Sequence, residues 1–340
     1  MKRNQGIWPL TILLVLTILL FFADLLVGST PITISQLFAN LLGKQDNDDI
    51  NTIISLFRLP KAYTALLVGA ALPVAGLLMQ TFFRNPVAGP DILGVTAGSS
   101  LFVAIVMMTG GLFFGIDAFY GMTVVLSAIA GAVVLLLIIL LVAARLRDTM
   151  TLLIFGIMFG MAISAIVSII QYYSERDALR LFMLWTFGSL GGVTHAQLII
   201  MVPLIVFGVL TAWLLSSKLN VLLLGEQYAL SLGIHVPRLR LYIIVITGIL
   251  TGTVTAFCGP IAFIGIAIPH LARMVLKVND HRLLIPASVL FGMCVMLLCD
   301  MLTQVGGDAG VLPLNAVTAF MGAPFVIYII YKNQHLKRTL

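Results

Sequence analysis

The chain has 340 residues, of which 61% are hydrophobic and 9% are charged, and its mean hydropathy is +1.13. This composition excludes an ordinary soluble domain and predicts an all-α polytopic membrane protein. The formal net charge of +6 is explained by basic loops on one membrane face, so no nucleic-acid partner is expected.

Ten apolar runs are predicted to be transmembrane helices. The first follows Lys2 and Arg3, and no A-x-A cleavage site follows it, so we interpret it as an uncleaved span and not as a signal peptide. The predicted spans are 8–28, 62–82, 91–109, 118–144, 150–173, 196–216, 240–258, 262–277, 283–304 and 312–331. They form a single transmembrane domain over residues 1–340, with both termini on the same side.

The distribution of basic residues predicts which side that is. With the N-terminus placed inside, only five of the 19 basic residues fall in outer segments, namely Lys44, Arg58, Lys61, Arg176 and Arg180. An excess of Lys and Arg marks cytoplasmic loops. We therefore expect both termini to be cytoplasmic, with the acidic loop around Asp48 and Asp49 outside.

Two segments are interrupted by Pro and Gly. Residues 82–90 follow the second span, and residues 259–270 follow the seventh and include a run too short for an ordinary span. Because an offset of five spans reverses orientation, spans 2–5 and 7–10 are predicted to form an inverted repeat. Broken segments at matching places in two halves are typical of transporters.

Few residues offer chemistry inside the membrane. Asp24 and Asp300 lie near span ends, and we interpret His270 as a helix-break residue bonded to a freed carbonyl. The run Asp280-His281-Arg282 is interpreted as a solvated inner loop. No paired catalytic groups, metal-ligand spacing or cofactor motif is found, so the chain is not expected to be an enzyme. It also lacks G-x-x-x-x-G-K-[ST], so any ATP would be bound by a partner.

Residues 216–240 form a long interruption between two apolar runs. Within it, Gly225 to Gly233 is predicted to be a short helix that Gly233 ends in a left-handed conformation. Glu226, Ala229 and Gly233 fall on one helical face, which suits docking into a cleft of another protein. A solvated loop helix is equally compatible with the spacing alone.

Several motifs in series resemble one family. They include Arg58-Leu59-Pro60-Lys61, the runs 69–80 and 84–98, Leu184 to Gly192, the loop 225–233, Gly259 to Arg273, Asp280-His281-Arg282 and Gly322-Ala323-Pro324-Phe325. Together they resemble the FecCD-like permeases, the membrane subunits of ABC importers for iron-siderophore, haem and cobalamin. The resemblance covers nearly the whole chain.

This resemblance implies a ten-span permease of the type II ABC importer architecture, in a bacterial inner or plasma membrane. It also implies two cytosolic ATPase subunits, an external or periplasmic binding protein and a second permease copy. We expect a homodimer, with a heterodimer of related permeases as the alternative. The cargo would be a metal chelate, and the residues do not identify which one.

The resemblance also implies roles for particular residues. The 216–240 loop becomes the cytoplasmic coupling-helix loop, with ATPase contacts at Gly225, Glu226, Ala229, Leu232 and Gly233. Asp148, Thr149 and Met150 match the inner gate between spans four and five. The fifth and tenth spans and the segment near Trp185 would line the central path.

On the outer side, Arg58 and Lys61 match the basic residues that dock the binding protein. The alternative from physics is that both side chains snorkel at the interface. Glycines 69, 76, 94 and 98 and the pair Gly156 and Gly160 are interpreted as close helix contacts.

Two other classes of function are retained as alternatives. An ion-coupled secondary transporter of a small organic solute would need ion-coupling residues in mid-membrane, and uptake without any ATPase would favour it. An intramembrane enzyme would need paired catalytic groups at depth.

Overall fold

The apolar runs fold as helices because backbone N–H and C=O groups in hydrocarbon must be bonded within their own segment. The computed structural model describes residues 7–43, 48–114, 121–146, 148–305 and 310–338. Within these ranges the helices are α1 (Ile7–Leu26), α2 (Ile34–Leu41), α3 (Asp48–Thr52), α4 (Leu59–Phe83), α5 (Val95–Phe114), α6 (Met122–Arg145), α7 (Thr149–Tyr172), α8 (Arg176–Thr186), α9 (His195–Leu214), α10 (Ser216–Leu223), α11 (Glu226–Ser231), α12 (Val236–Cys258), α13 (Ile264–Leu276), α14 (His281–Thr303) and α15 (Leu314–Arg338).

Seven helices in the described part of the chain are long and apolar enough to cross a membrane, so the protein is a multi-pass membrane protein. They correspond to the predicted first, second, fourth, fifth, sixth, seventh and ninth spans, of which residues 118–120 of the fourth lie outside the described residues. The predicted third, eighth and tenth spans correspond to shorter apolar stretches in α5, α13 and α15, namely Val95–Met108, Ile264–Leu276 and Leu314–Tyr328. Lys2, Arg3, Lys44 and Asp46 lie outside the described residues.

Two local predictions need correction. Asp48 and Asp49, expected in an acidic loop, begin α3, and a π-helical turn at Ile53–Arg58 leads from α3 into α4. The 216–240 loop holds two short helices, α10 and α11, where one was expected. Pro237 lies in the first turn of α12, where a missing N–H costs nothing.

α4 and α12 form the centre of the molecule. In the most apolar 18-residue stretch of each, 83% and 78% of the residues are buried, against 22% in the corresponding stretches of α1 and α7. α4 contacts α12, α13 and α14, and α12 contacts α5, α6 and α9. A Cβ added to Gly69 would lie 2.5 Å from the Gly292 carbonyl oxygen, and one added to Gly76 would lie 1.8 Å from that of Gly265. These glycines therefore permit backbone contact between helices, as predicted.

α4 and α14 are antiparallel neighbours, and their ends define two faces. The N-terminus of α4, with Arg58, lies beside the C-terminus of α14, with Asp300; we call this the Arg58 face. The other ends of both helices lie near α10 and α11; we call this the α11 face. The two interrupted segments contact each other through α13, because His270 Nε2 is 2.8 Å from the Pro86 carbonyl oxygen. His270 thus bonds a backbone carbonyl, but one in the other interrupted segment.

Candidate functional site

α11 is a short helix held between two spans by its own capping. Gly225 (φ +129°) precedes it, and Gly233 (φ +78°) follows it in the left-handed conformation. The Ile234 N–H donates to the Ala229 carbonyl and the Gly233 N–H to the Leu230 carbonyl, each at 3.0 Å. This pair of bonds is the Schellman motif, so Gly233 ends the helix as the sequence predicted.

The outward face of α11 differs from the predicted one. Ala229 is fully buried against the rest of the chain, so its methyl group cannot reach a partner. Leu232 is 56% exposed, and Tyr228 and Leu230 are 50% and 56% exposed beside it. Helical spacing assigns residues to a shared face, but the direction in which that face points depends on neighbours such as α10 and α12.

Glu226 lies at the start of α11 and points to α12. Its Oε1 is 3.4 Å from a terminal nitrogen of Arg240. The second terminal nitrogen of Arg240 donates to the Leu146 carbonyl at 2.9 Å. The guanidinium carbon is 5.6 Å from the centre of the Phe82 ring, within the range of a cation–π contact.

The predicted gate residues begin α7. Asp148 is its N-cap, and its Oδ2 accepts from the Thr151 backbone N–H at 2.7 Å and from the Thr151 hydroxyl at 2.6 Å. The Thr151 hydroxyl, followed by its N–H, holds the pKa of Asp148 below its usual range. Met150 is 57% exposed.

The structure brings the predicted gate and coupling residues together. A cleft of about 820 Å³ lies between the end of α4, the start of α7 and α11. Its lining comprises Phe82, Phe83, Arg84, Thr149, Met150, Leu224, Gly225, Glu226, Gln227, Tyr228 and Ser231. One open cleft therefore joins two groups of residues that are far apart in the sequence.

A buried polar junction that the sequence analysis missed anchors α10. His281 is fully buried, and its Nδ1 and Nε2 are 2.7 Å from Asn220 Oδ1 and 2.8 Å from Thr81 Oγ1. Asn220 also donates to Asp280 Oδ1 at 2.6 Å. The solvated interpretation holds for Asp280 and Arg282, which are exposed, but it is wrong for His281. The sequence gives no signal that His281 is buried, because it stands between two charged residues at the end of a span.

Arg58 and Lys61 meet at the opposite face. Arg58 is 9% exposed and donates to the carbonyls of Leu25, at 2.7 Å, and Thr30. Lys61 Nζ is 2.8 Å from Asp300 Oδ2. Both side chains border a cavity of about 440 Å³, together with Asp24, Ser189 and Gln304. Lys61 is thus charge-paired, and neither side chain extends freely into solvent.

Small polar residues line a groove on the exposed side of α7. The groove has a volume of about 710 Å³ and is bordered by Asp91, Thr96, Ser100, Gly156, Gly160, Ser164, Ser168, Gln171, Phe182 and Thr186, among others. A Cβ on Gly156 would lie 2.3 Å from the Ile92 carbonyl oxygen, but one on Gly160 would meet nothing within 4 Å. Gly156 is a helix contact as predicted, and Gly160 is not. Gly94 also has open space around it and a φ of +69°, so it serves a turn.

No group of three or more His, Cys, Asp or Glu side chains that could hold a metal occurs among the described residues.

Comparison with known proteins matches almost the whole chain. The FecCD transport family matches over residues 16–332. The vitamin B12 import system permease protein BtuC of Citrobacter koseri is 37% identical over 281 residues, which are 82% of this chain and 82% of that protein. A Methanocaldococcus jannaschii protein assigned by name as an ABC transporter permease is 30% identical over 339 residues, 96% of this chain and 97% of its own. A solved inward-facing structure, assigned to a metal-chelate type ABC transporter, has a TM-score of 0.83 and 28% identity, covering 95% of this chain and 98% of that one.

Proposed function

The chain belongs to the FecCD transport family, and on that premise we propose that it is the membrane-spanning permease subunit of an ATP-driven ABC importer for a metal chelate. The observation that carries the proposal is α11, a capped helix with an exposed apolar face that hangs between two spans beside the predicted gate. Such a helix fits a cleft in a partner protein. ATP hydrolysis then belongs to two separate cytosolic ATPase subunits, and the chain itself is not an enzyme.

The transported class follows from the relatives. Of those named above, BtuC acts in vitamin B12 import and the solved structure is assigned to a metal-chelate type transporter. Iron-siderophore, haem and cobalamin are the candidate cargoes, and an external binding protein delivers the cargo to this chain. We place the protein in a bacterial inner or plasma membrane, with both termini and the α11 face in the cytoplasm.

Ten spans and an inverted repeat are part of this proposal. Seven long helices and three shorter apolar helices supply the ten spans. The contacts between helices are compatible with a two-fold relation: α4, the second span, contacts α13 and α14, while α12, the seventh span, contacts α5 and α6. Exchanging spans 2–5 for spans 7–10 converts one set of contacts into the other.

The α11 face is the proposed coupling surface. Gly225, Glu226 and Gly233 shape and hold α11, and Leu232 contacts the ATPase together with Tyr228 and Leu230. Ala229 supports the helix from inside. Asp148, Thr149 and Met150 form the inner gate, which borders the same cleft as α11.

The Arg58 face is the proposed docking surface for the binding protein. The cavity there is bordered by two basic side chains, and an acidic side chain of the binding protein fits such a site. Because Asp300 already pairs with Lys61, an incoming carboxylate has to compete for that ammonium group.

A second copy of the chain completes the path. α7 exposes apolar side chains and a groove lined by hydroxyl groups and Gln171. Polar residues on a lipid-exposed span face are costly unless they line a cavity. The proposed homodimer places α7 of each copy beside a shared path, with α15 and the segment near Trp185 at its margin.

Reconstitution tests the function. The chain is purified with its partner ATPase and binding protein, and uptake of cyanocobalamin, ferrichrome and haem into proteoliposomes is measured with and without internal ATP. We expect one of these probes to accumulate only with ATP and with an ATPase whose P-loop lysine is intact. Uptake that persists with the inactive ATPase and follows an imposed ion gradient would overturn the proposal in favour of secondary transport.

A further inference from the structure

Arg240 contacts three separate parts of the α11 face. It lies in the second turn of α12, and its side chain is 11% exposed. Its guanidinium group bonds the Leu146 carbonyl at 2.9 Å, lies 3.4 Å from Glu226 Oε1 and stands over the Phe82 ring. One planar group therefore joins the end of α6, the start of α11 and the end of α4.

Leu146 connects Arg240 to the predicted gate. Leu146 is the C-cap of α6 and stands two residues before Asp148, the N-cap of α7. The charge of Arg240 also contributes to the lowered pKa of Asp148, which places the two groups within electrostatic reach. A shift of Arg240 thus acts on the backbone that carries the gate residues.

The contacts of Arg240 with Leu146 and with Glu226 differ in strength. The bond to Leu146 is short and joins a nearly buried cation to a carbonyl, whereas the pair with Glu226 is longer and Glu226 has a 36% exposed side chain. A buried hydrogen bond to a charged group is the stronger kind, and an exposed ion pair is weak. Arg240 is therefore held more firmly to Leu146 than to Glu226, so a displacement of the guanidinium group by α11 is passed to the backbone at Leu146.

We propose that Arg240 is a positioning residue that transmits the position of the ATPase-coupling helix α11, through Leu146, to the gate residues 148–150. The inference rests on the proposed function, and it adds a residue outside both the coupling helix and the gate. Arginine is required because its fork offers two terminal nitrogens in fixed directions, one for each partner. A lysine ammonium keeps the charge but is a single point and cannot hold both partners in the same way.

Arg238 provides a matched control. It lies two residues earlier on the same helix, carries the same charge and is exposed. The test compares Arg240→Gln, Arg240→Lys and Arg238→Gln in the complete complex of permease, ATPase and binding protein. ATPase co-purification, ATP hydrolysis and uptake of the probe that the wild type transports are measured for each.

Arg240→Gln is expected to retain the ATPase and hydrolyse ATP within about twofold of wild type, while uptake per ATP falls at least tenfold. Uptake per ATP is expected to fall several-fold in Arg240→Lys and less than twofold in Arg238→Gln. Equal uptake per ATP in Arg240→Gln and wild type, or an equal loss in Arg238→Gln, would overturn the inference. Failure of the proposed function looks different, because the wild-type complex itself would then show no ATP-dependent uptake.

A distance measurement separates positioning from general stability. Spin labels on Gln227→Cys and Met150→Cys report the width of the cleft, since both side chains are exposed there and the native cysteines 258, 294 and 299 are buried. In the wild-type background the two labels should shift together between the nucleotide-free and ATP-bound complexes. Arg240→Gln should broaden the distribution and remove the nucleotide-dependent shift. An unchanged shift in Arg240→Gln would contradict the proposed role.

Discussion

The imidazole of His281 joins three helices at the α11 face. The Asn220 carbonyl oxygen accepts from the His281 backbone N–H at 2.8 Å, and the Asn220 amide donates to Asp280, so the orientation of the amide is fixed. His281 Nδ1 must then carry a hydrogen, and in a neutral ring Nε2 accepts from the Thr81 hydroxyl, whose single hydrogen it shares with the Leu77 carbonyl at 2.8 Å. These hydrogen bonds link α10, which contacts α11, to α4 and α14.

Thr81→Val is expected to destabilise the subunit by about 1–3 kcal/mol, because Val keeps the shape but leaves a buried ring nitrogen without a donor. Thr64→Val is the matched control: Thr64 is equally buried in α4, but its hydroxyl bonds only the Pro60 carbonyl of its own helix. Inactivation half-lives at a fixed temperature in one detergent measure the difference. Equal half-lives for the two variants would show that the junction adds no stability.

The cap that Asp148 forms at the start of α7 is expected to depend on pH. Its pKa is lower in the folded chain than in the unfolded chain because Thr151 donates to the carboxylate. The cap therefore contributes fully above the ordinary carboxyl pKa of about 3.9 and is lost as the pH falls through the lowered value. Hydrogen exchange of the Thr151 amide, corrected for intrinsic rates, should lose protection in this range.

Asp148→Asn serves as the control, since Asn also caps helices but does not titrate. Protection in that variant should be nearly independent of pH below 5. If the wild type and Asp148→Asn lose protection at the same pH, the carboxylate is not the cause.

At the scale of elements, α4 and α14 form an antiparallel pair tied at both ends. Lys61 and Asp300 join them at the Arg58 face, and Thr81 and His281 join them at the α11 face. Between these ends, Gly69 and Gly292 allow the backbones to touch. The pair therefore forms a continuous, tightly fixed connection between the two proposed docking surfaces.

The direction in which α11 points is tested by two substitutions with opposite results. Leu232→Arg adds charge to an exposed apolar surface, so the subunit should fold normally but lose ATPase co-purification. Ala229→Trp overfills a fully buried position, so the yield of folded subunit should fall. Val311→Arg, at an equally exposed apolar site on the Arg58 face, should leave ATPase binding intact. If Ala229→Trp folds normally but no longer binds the ATPase, Ala229 lies on the outward face of α11 and its assignment to the buried side is wrong.

At the scale of the whole molecule, the groove along α7 is open to the outside of the chain. Ser164 and Ser168 border it, and their hydroxyl groups donate to the Gly160 and Ser164 carbonyls of their own helix, each at 3.0 Å. In the proposed homodimer, a second copy encloses this groove and supplies its other wall.

The homodimer is tested by co-expressing two differently tagged copies. One tag should retrieve the other from a complex that transports. A Ser164→Trp substitution, which projects a large side chain into the groove, should reduce uptake at least tenfold without lowering ATPase binding. Retrieval of a different permease in place of the second copy would identify a heterodimer.

The sequence by itself determined the protein class, the positions of the long apolar helices, the interrupted segments and the family. These properties are local: a span must satisfy its own backbone bonds, and its hydropathy is a sum over neighbouring residues. The 216–240 loop and the left-handed stop at Gly233 were predictable for the same reason, because helix capping involves residues only a few positions apart.

Only the tertiary structure decided which side chains are buried and which partners they bond. Ala229 and Leu232 have similar sequence signals, yet neighbouring helices bury one and expose the other. Arg58 was expected to be an exposed charge but bonds carbonyls about 30 residues away, and Arg240 contacts Leu146 and Phe82, which lie in distant segments. A polar group in the membrane takes whichever partner the fold brings within about 3 Å, and that partner is set by contacts between distant segments.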